Sequence, residues 1–130
     1  MLQYGCKSKI RKEKIRLTRE NVSLAMSCEG GCLTAEMAGE IDHHTARFLR
    51  EEIDRGLALE LPRTLVLDRS GISFMDSSGI GLIVGRLERA REIGAALRLK
   101  GLSPRLERIL ELSGALRLPA ISIEREDEKS

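Results

Sequence analysis

The chain has 130 residues, of which 42% are apolar and 32% charged, and its net charge at pH 7 is +2. That length suffices for one domain with a single core, and the composition is ordinary for a globular protein. The only aromatic residues are Tyr4, Phe48 and Phe74, which argues against nucleic-acid binding through aromatic stacking platforms. No stretch approaches the ~18 apolar residues of a membrane span, and no apolar signal-peptide segment follows the N-terminus. The sequence therefore predicts a cytoplasmic protein without a membrane span.

The charge is unevenly distributed along the chain. Residues 1–19 carry seven Lys or Arg against the single acid Glu13, a net charge of +6, and the remainder carries −4. We predict that residues 1–19 form a flexible basic extension, residues 20–123 the domain and residues 124–130 a charged end. Contact of the extension with nucleic acid or an anionic membrane is the less favoured alternative, and no direct nucleic-acid binding is expected.

The domain is predicted to begin with a β-hairpin. Strands from Val22 to Cys28 and from Cys32 to Ala38 flank a Glu-Gly-Gly turn. A zinc site at the two cysteines would need two more ligands, which the sequence does not offer at suitable spacing. We therefore predict reduced thiols, no metal and no cofactor.

A helix is predicted to follow the hairpin. Asp42 suits its N-cap, because a carboxylate there accepts a hydrogen bond from the first turn. Arg50 and Asp54 are spaced as an exposed i,i+4 ion pair, and Pro62 ends the helix. The expected core stripe consists of Leu49, Ile53 and Leu57.

The second half of the chain is predicted to alternate strands and helices. The elements are a buried strand from Thr64 to Asp68, a helix ending near Gly94, a strand at Leu97 and Leu99, a helix capped by Ser103 and stopped by Gly114, and a strand at Ile121 and Ile123. The predicted fold is a single α/β domain, a mixed β-sheet packed with α-helices in the order β-β-α-β-α-β-α-β.

The most informative motif joins the buried strand to the second helix. There Asp76, Ser77 and Ser78 place a carboxylate and two hydroxyls at the start of a helix, beyond the C-terminal end of a strand. Open α/β sheets carry functional groups at such ends. The unpaired N–H groups of a first helical turn also stabilise an added phosphate. We therefore interpret Ser77 as a phosphorylatable switch.

Three glycines, Gly79, Gly81 and Gly85, lie at the start of this helix. They would allow a partner backbone or a phosphate donor to approach closely. They would equally allow the helix to pack tightly on the sheet, because Gly81 and Gly85 are one helical turn apart. The sequence leaves both interpretations open.

Two stretches, Gly39 to Ala46 and Ser73 to Gly81, resemble the bacterial anti-sigma factor antagonists of the STAS domain family, named for sulfate transporters and anti-sigma antagonists. The resemblance covers about residues 20–123. It implies a regulatory binding protein rather than an enzyme. One departure is Arg69, at a position where an apolar residue is expected.

The resemblance also implies a mechanism. The anti-sigma factor is a serine kinase that phosphorylates the serine after the aspartate, here Ser77, and Asp42 lies close to it. The unphosphorylated antagonist binds the anti-sigma factor and frees a sigma factor, phosphorylation blocks this binding, and a serine phosphatase restores it. The protein is expected to be a monomer or a weak dimer. The predicted switch surface consists of Asp42, His43, Asp76, Ser77, Ser78, Gly79 and Gly81.

The sequence leaves two alternative function classes. A hydrolase or metal enzyme is disfavoured because Met75 and Asp76 precede Ser77, so that the G-x-S-x-G motif is absent. The adjacent His43 and His44 would diverge on a helix, unlike an H-x-x-x-H pair. The other alternative is a STAS scaffold or ligand-sensing module of a larger signalling assembly, which a stable high-order oligomer would favour.

Overall fold

The structure, a computed structural model, describes residues 14–117 and 121–124. Most of the predicted basic extension, residues 1–13, and most of the charged end, residues 125–130, lie outside the described residues. The elements are β1 (Ile15–Arg19), β2 (Val22–Glu29), β3 (Cys32–Ile41), α1 (His43–Glu60), β4 (Thr64–Met75), α2 (Ser77–Glu92), β5 (Ala96–Lys100), α3 (Pro104–Ser113), a 3₁₀ turn (Ala115–Arg117) and β6 (Ile121–Glu124).

The strands of the described residues form one six-stranded sheet in the order β1-β2-β3-β4-β5-β6. The pairs β1–β2 and β2–β3 are antiparallel, whereas β3–β4, β4–β5 and β5–β6 are parallel. A helix connects each parallel pair, as parallel pairing requires. The predicted class, a mixed sheet packed with helices in one α/β domain, is confirmed.

The predicted hairpin is confirmed, and its geometry separates the two thiols. Gly30 and Gly31 form the turn with φ angles of 62° and 79°, which glycine adopts without strain. Cys28 lies opposite Leu33 in the antiparallel register. Successive side chains of a strand alternate between faces, so Cys32 points to the other face of the sheet. Neither forms a disulfide within the described residues, and Cys28 is buried whereas Cys32 is half-buried.

The prediction that residues 1–19 form an extension is wrong for residues 15–19, which form β1 and pair antiparallel with β2. Leu17 is half-buried and packs against the core, whereas its neighbours are exposed. Lys14 is held by Glu36, with Nζ 2.9 Å from Oε1. The alternation of buried and exposed side chains in β1 is short. It lies within a run of positively charged residues, so the sequence did not reveal the strand.

Strand β4 continues past the predicted end at Asp68 as far as Met75. Its pairing with β5 stops at the Asp68–Lys100 pair. Its pairing with β3 continues, through two register irregularities, to the Ile41–Met75 pair. The ten-residue β3 supplies hydrogen-bond partners for this second stretch. Beyond Asp68, β4 therefore follows β3 alone and separates from β5, so that Arg69 lies at the point of divergence.

The core combines alternate strand side chains with the apolar faces of all three helices in one cluster. The predicted α1 stripe belongs to it, and each of its residues is at most 2% exposed, as shown by Leu49, Ile53 and Leu57. Within residues 14–117 and 121–124, none of the helices combines the length and apolar character needed to cross a bilayer.

The predicted helix boundaries are also observed. Ser103 caps α3, since its Oγ accepts a hydrogen bond from the N–H of Leu106 at 3.1 Å, and Pro104 is the first helical residue. Gly94 follows the end of α2 with φ of 77°, and Gly114 ends α3 with φ of 84°. These left-handed conformations explain the glycines.

Asp54 does not form the predicted pair with Arg50. Its Oδ1 lies 3.1 Å from Nε of Arg86, whose side chain is 7% exposed. At this distance the two groups form an ion pair, although the orientation of these two atoms does not satisfy the criteria for a hydrogen bond. Burial lowers the pKa of Arg86, and the charge of Asp54 opposes that shift. The pair joins α1 to α2, the helices whose first turns carry the predicted switch surface.

Candidate functional site

The site is built on the C-terminal ends of two neighbouring parallel strands. Ile41 ends β3 and Met75 ends β4, and these two residues are in register. The N–H of Asp76 donates to the carbonyl oxygen of Ile41 at 3.1 Å. Asp42 and Asp76, one residue beyond each strand, therefore lie side by side. Each is also the N-cap of the helix that follows.

Asp42 is fixed by a complete capping box. One carboxylate oxygen accepts the backbone N–H groups of His44 and Thr45, each at 2.9 Å. The N–H of Asp42 donates to Oγ1 of Thr45 at 2.8 Å, and that hydroxyl donates to the carbonyl oxygen of Glu40 at 3.0 Å. The hydrogen bond from the Thr45 N–H is the largest cause that lowers the pKa of Asp42. Asp42 is therefore a structural anion next to Asp76, and Thr45 is a supporting residue that was not predicted from the sequence.

Asp76 caps α2 and leaves the two serines in different environments. Its Oδ1 accepts the N–H of Ser78 at 2.8 Å, and its carbonyl accepts the N–H of Gly79 at 2.9 Å. Ser77 is the first helical residue and is exposed, whereas Ser78 is half-buried. The Ser77 hydroxyl makes no hydrogen bond with any residue that the structure describes. The more accessible of the two hydroxyls is thus that of Ser77.

The two serines line different clefts. The Ser77 cleft, of about 390 Å³, lies between α2 and α3 and also contains Asp76, Arg69 and Arg105. The Ser78 cleft, of about 400 Å³, lies between α1 and α2; it contains His43, Arg47, Arg50 and Gly81. The residues of the predicted switch surface are therefore divided between the two clefts, with α2 between them.

The glycines of α2 differ in what surrounds them. A Cβ at Gly79 would overlap the side chain of Met75, so Gly79 serves close packing. At Gly81 and Gly85 an added Cβ would meet nothing within 4 Å. Gly81 and Gly85 follow Ser77 at intervals of four residues and share its face of the helix. The packing interpretation therefore holds for Gly79, whereas Gly81 and Gly85 leave an open surface.

The histidines do not form a catalytic arrangement with Ser77. His43 is exposed and lines the Ser78 cleft. Its ring centroid lies 5.6 Å from that of His44, in an edge-on arrangement. Among the described residues, neither imidazole is hydrogen-bonded to Ser77. The geometry that a serine hydrolase requires, with a base within hydrogen-bond reach of the nucleophile, is not present here.

Two basic residues of the site were not predicted from the sequence. In the sequence, Arg69 is only a departure from the family pattern, and nothing assigns a role to Arg105. The structure brings them together across about 35 positions of sequence, at the Ser77 cleft. The sequence signal for Arg69 was a charged residue directly after a buried apolar strand. Which residues Arg69 contacts could not be predicted, because that depends on where β4 separates from β5.

A model of the STAS domain matches residues 23–127. The chain belongs to the STAS domain family. The predicted resemblance is thereby confirmed.

Relatives within the family carry regulatory names. The chain is 31% identical over 84 residues to the anti-sigma F factor antagonist of Paenibacillus polymyxa, across 65% of this chain and 72% of the relative. It is 31% identical over 85 residues to the anti-sigma-B factor antagonist of Bacillus subtilis, across 65% and 76% of the two chains. The sequence is thus similar to STAS proteins that act on anti-sigma factors.

Solved structures of anti-sigma factor antagonists are also similar to this chain. The unphosphorylated form of the anti-sigma factor antagonist SpoIIAA is 26% identical, with a TM-score of 0.59, over 90% of each chain. An anti-sigma factor antagonist from Mycobacterium paratuberculosis is 25% identical, with a TM-score of 0.62, over 86% of this chain and 94% of that one. The STAS fold of this chain therefore resembles that of known antagonists.

Proposed function

We propose that this protein is an anti-sigma factor antagonist whose binding is controlled by phosphorylation of Ser77. The unphosphorylated form binds a cognate anti-sigma factor. This binding frees the sigma factor that the anti-sigma factor had held. The names of the relatives support this function. Because the partner acts on transcription, the protein is proposed to work in the cytoplasm. It is proposed to be a monomer or a weak dimer.

The observation that carries the proposal is the position of Ser77. Its hydroxyl is exposed, has no hydrogen-bond partner among the described residues and stands at the first turn of α2. On the exposed surface of α2 that follows it, Gly81, which also borders the Ser78 cleft, and Gly85 have no side chain to block approach. A partner backbone can approach this face closely, and a kinase can reach the hydroxyl. Ser78, half-buried in the other cleft, is less available.

The anti-sigma factor is proposed to be the serine kinase as well. The γ-phosphoryl group of ATP is transferred to Oγ of Ser77: the new O–P bond forms, the bond to the β-phosphate bridge breaks, ADP leaves and the hydroxyl proton is released. A serine phosphatase hydrolyses the phosphoserine and restores the hydroxyl. The chain itself supplies only the acceptor group, held at a helix N-terminus that tolerates the added charge.

Phosphorylation opposes binding by charge. A phosphoserine adds about −1.5 to −2 charge next to the carboxylate of Asp76. An acidic group of the partner ~6 Å away would then be repelled by about 3 kcal/mol per charge pair at an effective dielectric of about 20. That corresponds to roughly a hundredfold loss of affinity. No large conformational change is needed.

The proposal is tested by mapping the modification. The wild-type protein and the Ser77→Ala and Ser78→Ala variants are used to capture partners from the native cell, and the captured kinase is supplied with ATP. We expect phosphate on Ser77 in the wild-type and Ser78→Ala proteins and none on Ser77→Ala, because only Ser77 has an exposed, unpaired hydroxyl on the open face. Phosphopeptide mass spectrometry identifies the site. Normal modification of Ser77→Ala would contradict the assignment.

A further inference from the structure

Arg69 is held in place by one of its nitrogens and leaves another without a partner. Its NH1 donates to the carbonyl oxygen of Gly101 at 2.7 Å. Its Nε is buried and has no hydrogen-bond partner among the described residues. A buried donor without a partner is energetically unfavourable, so an anionic acceptor beside this guanidinium is favoured. Arg69 lies where β4 separates from β5, next to the Ser77 cleft.

Arg105 provides a second guanidinium at the same cleft. It lies in the first turn of α3 and is exposed. It makes no hydrogen bond or ion pair with any residue that the structure describes. Its side chain is therefore free to turn toward a new anion.

The charges that line the Ser77 cleft leave room for an anion. Arg69 and Arg105 contribute two positive charges, and Asp76 contributes one negative charge whose oxygen is already engaged by the Ser78 N–H. With Ser77 unmodified, the cleft carries a net charge of +1 from these side chains. Arginine is well suited to a phosphate, because its planar guanidinium donates two parallel hydrogen bonds.

We propose that the phosphate on Ser77 is held in the Ser77 cleft by the guanidinium groups of Arg69 and Arg105. This rests on the proposed function only in taking Ser77 as the modified residue. The phosphate then gives the guanidinium of Arg69 an anionic neighbour in the cleft and gives Arg105 a partner. Phosphorylation thus fills the cleft as well as adding charge, and both changes remove the surface that a partner would use on the α3 side of α2.

The test uses protein with phosphoserine installed at position 77 by genetic encoding, so that no kinase is required. The ³¹P chemical shift is followed against pH in the parent and in Arg69→Gln, Arg105→Gln and Arg108→Gln. Arg108 is the matched control, since it lies on the same helix but lines the neighbouring cavity rather than the Ser77 cleft. We expect the second phosphate pKa in the parent to lie about 1 pH unit below its ordinary value of about 6, because the guanidiniums favour the dianion. It should rise toward 6 in Arg69→Gln and in Arg105→Gln, and stay low in Arg108→Gln.

A second measurement separates this role from a structural one. Phosphorylation should raise the melting temperature of the parent, and the increase should shrink in Arg69→Gln and Arg105→Gln. Each variant is compared with its own unphosphorylated form, so any loss from the Arg69–Gly101 contact cancels. If Arg69→Gln does not fold, the phosphate pKa and the melting temperature of Arg105→Gln alone test the proposal.

The proposal is overturned if the phosphate pKa is the same in the parent and in Arg105→Gln, or if Arg108→Gln raises it as much. A pKa that is low in every variant would mean that the helix N-terminus alone holds the phosphate. The failure of this proposal is distinguishable from that of the proposed function. A perturbed phosphate pKa without any cognate kinase for Ser77 contradicts only the function, and a kinase-modified Ser77 with an ordinary phosphate pKa contradicts only the arginine clamp.

Discussion

Ser77→Asp is expected to weaken binding to the anti-sigma partner by tenfold or more, and Ser77→Ala to preserve it. Aspartate places a negative charge on the open face of α2, beside Asp42 and Asp76. Alanine removes only a hydroxyl that has no hydrogen-bond partner among the described residues. A carboxylate carries less charge than a phosphate and has a different shape, so the loss should be smaller than the roughly hundredfold loss for phosphoserine.

Neither change should greatly lower the free energy of unfolding. An acidic group in the first turn of a helix stabilises it by about 0.3–1 kcal/mol, and the adjacent Asp76 offsets part of that gain. Calorimetric titration gives the affinities, and thermal melts of both variants give the stabilities. Equal affinity of Ser77→Asp and the parent would rule out charge repulsion. A loss of binding that accompanies unfolding would mean that Ser77 is a structural residue instead.

Gly81→Leu is expected to reduce binding by about fivefold or more while leaving the domain at least as stable. Apart from the adjoining backbone of the helix itself, no described atom lies within 4 Å of a Cβ at this position, so the leucine side chain would project outward from α2. A misfitting side chain in a close-packed contact costs roughly 1–3 kcal/mol, equivalent to a loss between about fivefold and a hundredfold or more. Replacing glycine within a helix should itself add up to about 1 kcal/mol of stability.

The control for this prediction is Ala58→Leu. Ala58 is also exposed on a helix, but it lies near the far end of α1, about 24 Å along the helix from Asp42 at ~1.5 Å per residue. It should bind as the parent does. If Gly81→Leu bound equally well, the open face of α2 would not be the docking surface. If both leucine variants lost affinity, the loss would reflect surface hydrophobicity and not the position.

The parts of the fold that were predicted correctly depend on short stretches of sequence. The capping role of Asp42, the Pro104 start of α3 and the Gly30-Gly31 turn follow from the preferences of single residues at fixed offsets. The α1 core stripe follows from a four-residue repeat. Each of these signals is complete within one or two turns of chain, so no distant partner is needed to interpret it.

The parts that were missed depend on residues far apart in the sequence. Strand β1 has too short an alternation to stand out from its charges, and only its pairing with β2 reveals it. The extension of β4 to Met75 depends on hydrogen bonds from β3. The partner of Asp54 was mispredicted because Arg86, on the next helix, lies within reach only once α1 packs on α2.

In the candidate site, too, local features could be predicted from the sequence, whereas features that depend on distant residues could not. The motif around Asp76 identified the region and its charge, since those follow from the residues themselves. The sequence could not tell which serine faces which cleft, nor that Gly79 packs inward whereas Gly81 faces outward, because both depend on how α2 is rotated against the sheet. Arg69 and Arg105 belong to the Ser77 cleft only because β4 leaves β5 beside the start of α3.

The central claim is that the phosphorylation state of Ser77 alone decides whether the antagonist binds its anti-sigma factor. The most direct measurement is calorimetric titration of the captured anti-sigma factor with the unmodified protein and with protein carrying genetically encoded phosphoserine at position 77. We expect tight binding of the unmodified form and affinity at least a hundredfold weaker for the phosphorylated form, with both forms folded by thermal melting. Equal affinities of the two folded forms would contradict the claim.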